Sequence, residues 1–202
     1  MITSTKTILL LGFLLISWTD FLPSNTQTGS TLEYTADAQL KFPEHYREWV
    51  YLTSGFDMSY DPAGMQMGHH MFDNVFVNPE AYKAFVATGT WPDETILVIE
   101  ARRAEGKGSI NQKGNFQGEV MGFEAHVKDE KRFPGKWAFF GFGEAKTAKM
   151  IPTTAACYSC HESHAAVDTT FVQFYPSLLP IAKSKNTLAP AYLKETETPA
   201  QK

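Results

Sequence analysis

One short motif, Cys157-Tyr158-Ser159-Cys160-His161, constrains this chain more than any other part of it. The C-x-x-C-H spacing lets two cysteine sulfurs form thioether bonds to a haem while the adjacent histidine ligates the iron. A Cys157–Cys160 disulfide and a thioredoxin-like redox motif are the alternatives. Neither gives His161 a role, and the redox motif would need a βαβ unit around it. The motif therefore predicts a covalently bound c-type haem with His161 as its iron ligand.

A second histidine, His164, follows one helical turn after His161 and raises zinc as a competing interpretation. In Cys2His2 zinc sites roughly a dozen residues separate the two ligand pairs, so that the chain can wrap around the ion. No such spacer exists here, and the spacing favours haem. We expect His164 to be an exposed or hydrogen-bonding side chain, with a supporting role behind the iron ligand as the alternative.

The N-terminus predicts export. Lys6 precedes an uninterrupted apolar run from Ile8 to Trp18, which Asp20 closes before a polar stretch. This is the pattern of a secretory signal peptide. The run is shorter than the roughly 18 apolar residues of a membrane-spanning helix. We therefore predict a signal peptide over residues 1–25 and a periplasmic or otherwise exported mature protein.

Composition describes an ordinary soluble protein and argues against a nucleic-acid partner. The chain has 18 basic and 22 acidic side chains, a net charge of −4 and a pI near 5.9. Nucleic-acid binders usually carry a basic excess.

Polarity also divides the chain into three parts after the signal peptide. Residues 26–40 predict a flexible linker, residues 41–180 a single domain, and residues 181–202, rich in Lys, Thr and Pro, a disordered tail.

The domain predicts an α+β fold, mainly an antiparallel β-sheet with peripheral helices. Residues 79–87 form the clearest helix, with Asn78 as a candidate cap, Pro79 at the first position and Gly89 as a left-handed stop. Short helices are also predicted near Pro43, after Cys160, and over residues 169–179, where Asp168 could cap. The predicted strands cover residues 95–102, 118–127 and 137–142, with weaker candidates at 71–77 and 49–53.

The loop over residues 57–71 is rich in methionine and histidine. Taken alone, this cluster could supply a sixth iron ligand or a copper site. The favoured interpretation is a mobile loop that covers an apolar edge, because methionine is adaptable packing material. The candidate donors are Met58, Met65, Met67, Met71, His69 and His70.

Beyond the single motif, the chain resembles the cytochrome P-460 family, which also contains the cytochromes c′-beta. The resemblance runs in order through FPEHYREWV, FDNVFVNPEAYKAFVATGTWPDETILVIEAR, GFEAHVKDEKRFPGKWAFFGF and CYSCHESHAAVDTTFVQFYPSLLP. It implies a mostly antiparallel sheet, a homodimer, and a haem c whose iron is five-coordinate, with Cys157 and Cys160 attaching the haem and His161 ligating the iron.

The resemblance also marks two departures. Members that oxidise hydroxylamine carry a lysine that cross-links to the haem, and this position falls on Ile99. Unless Lys83 or Lys107 substitutes for it, the resemblance implies no cross-link. An arginine found in some members is replaced by Asp73.

A carboxylate of the hydroxylamine-oxidising members matches Glu124. Strand alternation places Glu124 and His126 on one face, and a carboxylate beside a haem-bound substrate could accept a proton. The alternative is a surface glutamate paired with Lys128, Lys131 or Arg132. We expect an open iron position lined by apolar groups such as Ile99, with Glu124 near the bound ligand.

Two aromatic residues are also candidates for the pocket. Phe72 and Phe76 share a strand face with Asn74, and their rings could cover the iron and exclude water and anions, although core packing is the favoured interpretation.

The sequence leaves two leading functions. The first is a haem protein that binds nitric oxide or another small nitrogen ligand at an open iron site, and the absence of the lysine favours it. The second is an enzyme that oxidises hydroxylamine, with Glu124 as proton acceptor and an electron-acceptor cytochrome as partner. A low-spin electron carrier with a Met or His sixth ligand is a third interpretation.

Overall fold

The computed structural model describes residues 32–59 and 70–197. The predicted signal peptide lies outside the described residues, as do Met65, Met67 and His69 of the Met/His loop. Within the described part of the chain, no helix has the length and apolar character that a membrane crossing requires.

The fold is an α+β single domain built around an antiparallel sheet, as the sequence predicts. Five strands pair in the order β2-β3-β4-β5-β6, and β1 pairs with β7 in a small second sheet. The strands are β1 (Leu40–Lys41), β2 (Val50–Phe56), β3 (Met71–Val77), β4 (Ile96–Glu105), β5 (Phe116–Lys128), β6 (Trp137–Gly143) and β7 (Thr147–Ala148). The α-helices are α1 (Pro79–Thr88), α2 (Ala156–His164), α3 (Leu179–Lys185) and α4 (Pro190–Glu197), with 3-10 helices at Tyr46–Glu48 and Val172–Phe174.

Alternation along β4 explains why the sheet is buried on both faces. Ile96 and Val98 belong to one apolar cluster, and Leu97 packs in the other with α1 and the segment after α2. Because successive side chains point to opposite faces, a strand with apolar residues at consecutive positions fills two cores at once. The cluster around Leu97 lies beside the candidate site.

Several predicted helix boundaries need correction. The predicted helix 79–87 is confirmed as α1, and Gly89 ends it with φ 80°. Asn78 occupies the N-cap position, but its side chain does not cap the helix, because Oδ1 accepts the backbone N–H of Ile96. Near Pro43 the helix is only the 3-10 turn Tyr46–Glu48.

The predicted helix over residues 169–179 is wrong. Only the 3-10 turn Val172–Phe174 forms, and Tyr175 is extended at φ −104° and ψ 92°. Pro176 disfavours the helical region for the residue before it. Asp168 does not cap a helix but lies in the left-handed region at φ 52°.

The predictions of a flexible linker and a disordered tail are wrong for their described parts. Tyr34 forms a β-bridge with Leu40, and the Arg132 guanidinium lies 3.9 Å from its ring centre. In the tail, α3 and α4 form, and Leu188 and Tyr192 pack against the main core. These few apolar residues, scattered among Lys and Thr, have partners that composition alone does not reveal.

A buried carboxylate on the sheet face opposite Ile99 is absent from the sequence-based expectations. Glu100 is fully buried and accepts hydrogen bonds from Tyr46, Arg47 and Arg102. These donors hold the pKa of Glu100 below its ordinary value despite desolvation, which acts in the opposite direction. The network fixes the segment before β2 against the centre of the sheet.

Replacing Tyr192 tests whether α4 belongs to the packed domain. We expect Tyr192→Ala to lower the free energy of unfolding by about 1–2 kcal/mol, because a partly buried ring loses its core contacts. Leu193→Ala is the matched control, since Leu193 is 43% exposed. Urea denaturation gives both values. Equal stability of both variants and the parent would mean that the tail is not docked.

Candidate haem site

A cavity of about 690 Å³ lies against the sheet face that carries Leu97 and Ile99. This volume is within the range of about 300–1,000 Å³ that is usual for cofactor and ligand sites. The sheet contributes Asp73, Val75, Leu97, Ile99, Glu124, His126 and Phe139, and the later chain contributes Ile151, Cys157, His161, Phe171, Phe174 and Tyr175. The structure thus brings Ile99, Glu124, Cys157 and His161 to one cavity.

Helix α2 holds the whole C-x-x-C-H motif. It starts at Ala156, whereas the sequence predicts a helix only after Cys160. Residues three and four apart lie on one face of a helix, so Cys157, Cys160 and His161 share a face. Both thiols are free and half-buried, which leaves them available for bonding to a cofactor.

Tyr158, between the two cysteines, fastens α2 to the sheet. Its hydroxyl donates to the carbonyl of Ile151 at 3.0 Å and accepts the backbone N–H of Phe139 at 3.3 Å. Its ring meets the Phe139 ring edge-on, with centroids 4.8 Å apart. The residue between the cysteines therefore sets how the motif faces the cavity.

The tautomer of His161 follows from its backbone contact. Nδ1 lies 2.7 Å from the carbonyl oxygen of Thr169, and a carbonyl only accepts, so Nδ1 carries the proton. Nε2 has no hydrogen-bond partner among the described residues and carries a lone pair. Burial lowers the pKa of His161, although the Thr169 bond acts against it. The ring is thus a neutral imidazole, the form that binds metals.

A second imidazole, that of His126, lies beside His161. The ring centroids are 5.2 Å apart and nearly perpendicular. Desolvation, and then His161, hold the pKa of His126 well below its ordinary value, so it is uncharged. Strand alternation in the sequence places His126 on the face of Glu124 but assigns it no role. That alternation is the signal that could have identified it.

A pair of carboxylates lies farther along the same cavity. Glu124 precedes His126 by two residues, roughly 6.6 Å along a strand, and desolvation raises its pKa. Asp73 also lines the cavity, and burial, followed by the charges of Glu124 and Asp57, raises its pKa to about 6. The lining is therefore less apolar than the sequence predicts, because Asp73 accompanies Glu124.

The alternative in which Glu124 is a paired surface residue receives no support. Lys128 pairs with Glu130 and Asp168, and Arg132 pairs with Asp129. Among the described residues, none of the ion pairs includes Glu124. Its side chain is accessible from the cavity instead.

Phe72 and Phe76 do not line the cavity, contrary to their candidate role in the pocket. Asp73 and Val75 line the cavity, and alternation turns Phe72 and Phe76 to the other side of β3. There the Phe76 ring packs edge-on against Tyr46, with centroids 5.4 Å apart. Because the sheet is buried on both faces, the sequence could not show which face of β3 the cavity occupies.

The described ends of the Met/His loop differ in orientation. Met58 and Met71 line the cavity. His70 is exposed, its Nδ1 pairs with Asp57 at 2.5 Å, and its ring stacks on Phe56. That the loop does not coordinate iron stays a prediction, because Met65, Met67 and His69 lie outside the described residues.

The remaining candidates lie away from the cavity. Lys83 and Lys107 are exposed, and no lysine in residues 32–59 or 70–197 lines the cavity. His164 is confirmed as a hydrogen-bonding surface residue, because its Nδ1 lies 3.0 Å from Glu195 Oε2 on α4.

Comparison with known proteins identifies the family. The family model described as cytochrome P460 matches residues 43–172, well over half of the chain. The chain therefore belongs to the cytochrome P460 family. A search of curated proteins finds no match. Membership implies a haem cofactor and chemistry on nitrogen compounds. The cavity volume, the neutral His161 and the two free thiols on one helix face all fit that cofactor.

The raised pKa of Asp73 predicts a pH-dependent effect on stability. Burial and nearby charges raise the pKa of Asp73 from its ordinary value of 3.8 to about 6 in the folded protein. The folded state therefore loses stability relative to the unfolded state as the pH rises from about 3.8 to about 6, and this loss persists at higher pH. We expect Asp73→Asn to stabilise the protein by about 1–2 kcal/mol at pH 7.5 and to have little effect near pH 4. Urea denaturation at both pH values measures this. A variant that is less stable at pH 7.5 would contradict the assigned environment.

Proposed function

We propose that this protein is an exported mono-haem c-type cytochrome whose open iron site binds or transforms small nitrogen ligands. Cys157 and Cys160 would attach the haem, and His161 would ligate the iron through Nε2. The observation that carries the proposal is the neutral His161, whose Nδ1 is engaged by Thr169 and whose ring lines the same cavity as Cys157. When bound, haem iron supplies one-electron chemistry and a coordination position for a small molecule.

The protein's own residues would divide the remaining work. Thr169 fixes the orientation of His161 through the 2.7 Å hydrogen bond. Leu97 and Ile99 supply apolar surface that excludes water. Glu124 has a raised pKa, and a more basic carboxylate is a better proton acceptor near neutral pH.

Ligand binding is the favoured function, with nitric oxide as the representative ligand. The family resemblance assigns the position of the cross-linking lysine to Ile99, which lines the cavity, and no described lysine lines the cavity in its place. The alternative is a hydroxylamine-oxidising enzyme. Glu124 favours this alternative, because it would take a proton from the substrate while an electron-acceptor cytochrome receives the electrons.

A low-spin electron carrier is the third candidate. Met58 and Met71 line the cavity and would be the described donors for it. His70, in contrast, is engaged by Asp57.

We also propose that the mature protein is periplasmic, on the basis of the N-terminal apolar run, and homodimeric, on the basis of the family resemblance.

Mass spectrometry tests the covalent attachment. After expression with a c-type haem maturation system, we expect one haem adduct on the peptide that contains Cys157 and Cys160, and none on a peptide that contains Ile99, Lys83 or Lys107. Replacing both cysteines with serine should leave only loosely held haem. An intact mass without an adduct would refute attachment through the motif.

Glu124→Gln separates the two leading functions. If hydroxylamine is oxidised, we expect its turnover to fall by about 10²-fold or more, since a positioned base contributes on that order. Nitric oxide affinity should change little, because a neutral diatomic needs no proton acceptor. Glu119→Gln is the control, because Glu119 is an exposed residue of the same strand. Turnover unchanged by Glu124→Gln would remove Glu124 from the mechanism.

A further inference from the structure

His126 is a buried histidine that the proposed chemistry does not use. It is 5% exposed. Its ring stacks on Phe139, with centroids 4.0 Å apart and planes 12° apart, and its centroid lies 4.5 Å from that of Trp137. An imidazole buried between aromatic rings loses hydrogen bonds to water, so a hydrogen bond to the protein offsets part of the cost of its burial.

That contact is with Thr169, the residue that also holds His161. The hydroxyl oxygen of Thr169 lies 3.2 Å from His126 Nε2, and its carbonyl oxygen lies 2.7 Å from His161 Nδ1. One residue therefore links the two imidazoles through two different oxygens. A movement of Thr169 would change both contacts.

The turn that carries Thr169 is held by side-chain contacts to other elements. Asp168, immediately before it, is largely exposed and lies in the left-handed region at φ 52°. Thr170, immediately after it, is fixed because its hydroxyl oxygen accepts the indole N–H of Trp91 at 2.7 Å. His126 supplies the corresponding anchor for the Thr169 side chain.

We propose that His126 is a positioning residue for the iron ligand: it fixes Thr169, and the Thr169 carbonyl in turn sets the orientation and basicity of His161. The inference rests on the proposed function, because it assigns His161 to the iron. A hydrogen bond at the outer nitrogen of a metal-bound imidazole raises its basicity as a ligand. A more basic ligand stabilises the ferric state and lowers the reduction potential of the iron. Losing the anchor would therefore raise the potential.

The test uses the full-length, haem-loaded protein and four variants. Thr169→Val removes the hydroxyl and keeps the carbonyl, while Thr169→Ser keeps both and is the matched control. His126→Phe keeps an aromatic ring in the stack and removes the hydrogen bond. The double variant His126→Phe/Thr169→Val measures whether the two residues act through one contact.

Two readouts report on the iron ligand itself: the iron–histidine stretching band in the resonance Raman spectrum of the ferrous protein, and the reduction potential. We expect Thr169→Val and His126→Phe each to lower the frequency of that band and to raise the potential. The double variant should shift no further than either single variant, and Thr169→Ser should match the parent.

Three outcomes would overturn the inference. In the first, both single variants lose stability while the band and the potential stay at the parent values, so that His126 is core packing only. In the second, the shifts of the double variant are the sum of the single ones. In the third, only one of the single variants shifts. Failure of the proposed function is distinguishable, because the parent protein would then show no iron–histidine band at all.

Discussion

The hydrogen bond from His161 Nδ1 to the carbonyl of Thr169 is the interaction on which the site depends. It leaves Nε2 as the nitrogen with a free lone pair. Tyr158 provides the second half of the arrangement, because its bonds to Ile151 and to Phe139 N–H fix α2 against β6. Ring direction and helix position are thus determined by backbone groups of segments outside the motif.

The cavity is electrostatically divided along its length. Near His161 lies the imidazole of His126, which burial keeps uncharged. Toward Asp73 and Glu124 the wall is acidic, and burial, followed by the charges of Glu124 and Asp57, raises the pKa of Asp73 to about 6. Above that pH, negative charge on this wall would repel an anionic ligand more than a neutral one.

Much of this could be predicted from the sequence. The C-x-x-C-H spacing is local chemistry, and apolar residues bounded by turns indicate the strand β4. The environments of Phe72 and Phe76 could not be predicted, because alternation says that residues share a face and not which face meets a cavity. The family resemblance marks Asp73 as a departure, but its coupling to Glu124 arises across strands.

The tail and His126 show a further limit. The pairing of α4 with the core depends on a few apolar contacts, such as that of Tyr192, which polar composition conceals. His126 gains its partners from Thr169 and His161, which are distant in sequence. Long-range pairs of this kind leave no periodic signal in a single sequence.

The spin state of the reduced, haem-loaded protein tests the central claim most directly. If His161 is the axial ligand from the protein and the opposite position is open, the ferrous absorption and resonance Raman spectra will be those of a five-coordinate, high-spin haem. Added nitric oxide will then bind. A low-spin, six-coordinate ferrous spectrum that is lost when Met58, Met67, Met71, His69 or His70 is replaced would contradict the account and make the protein an electron carrier.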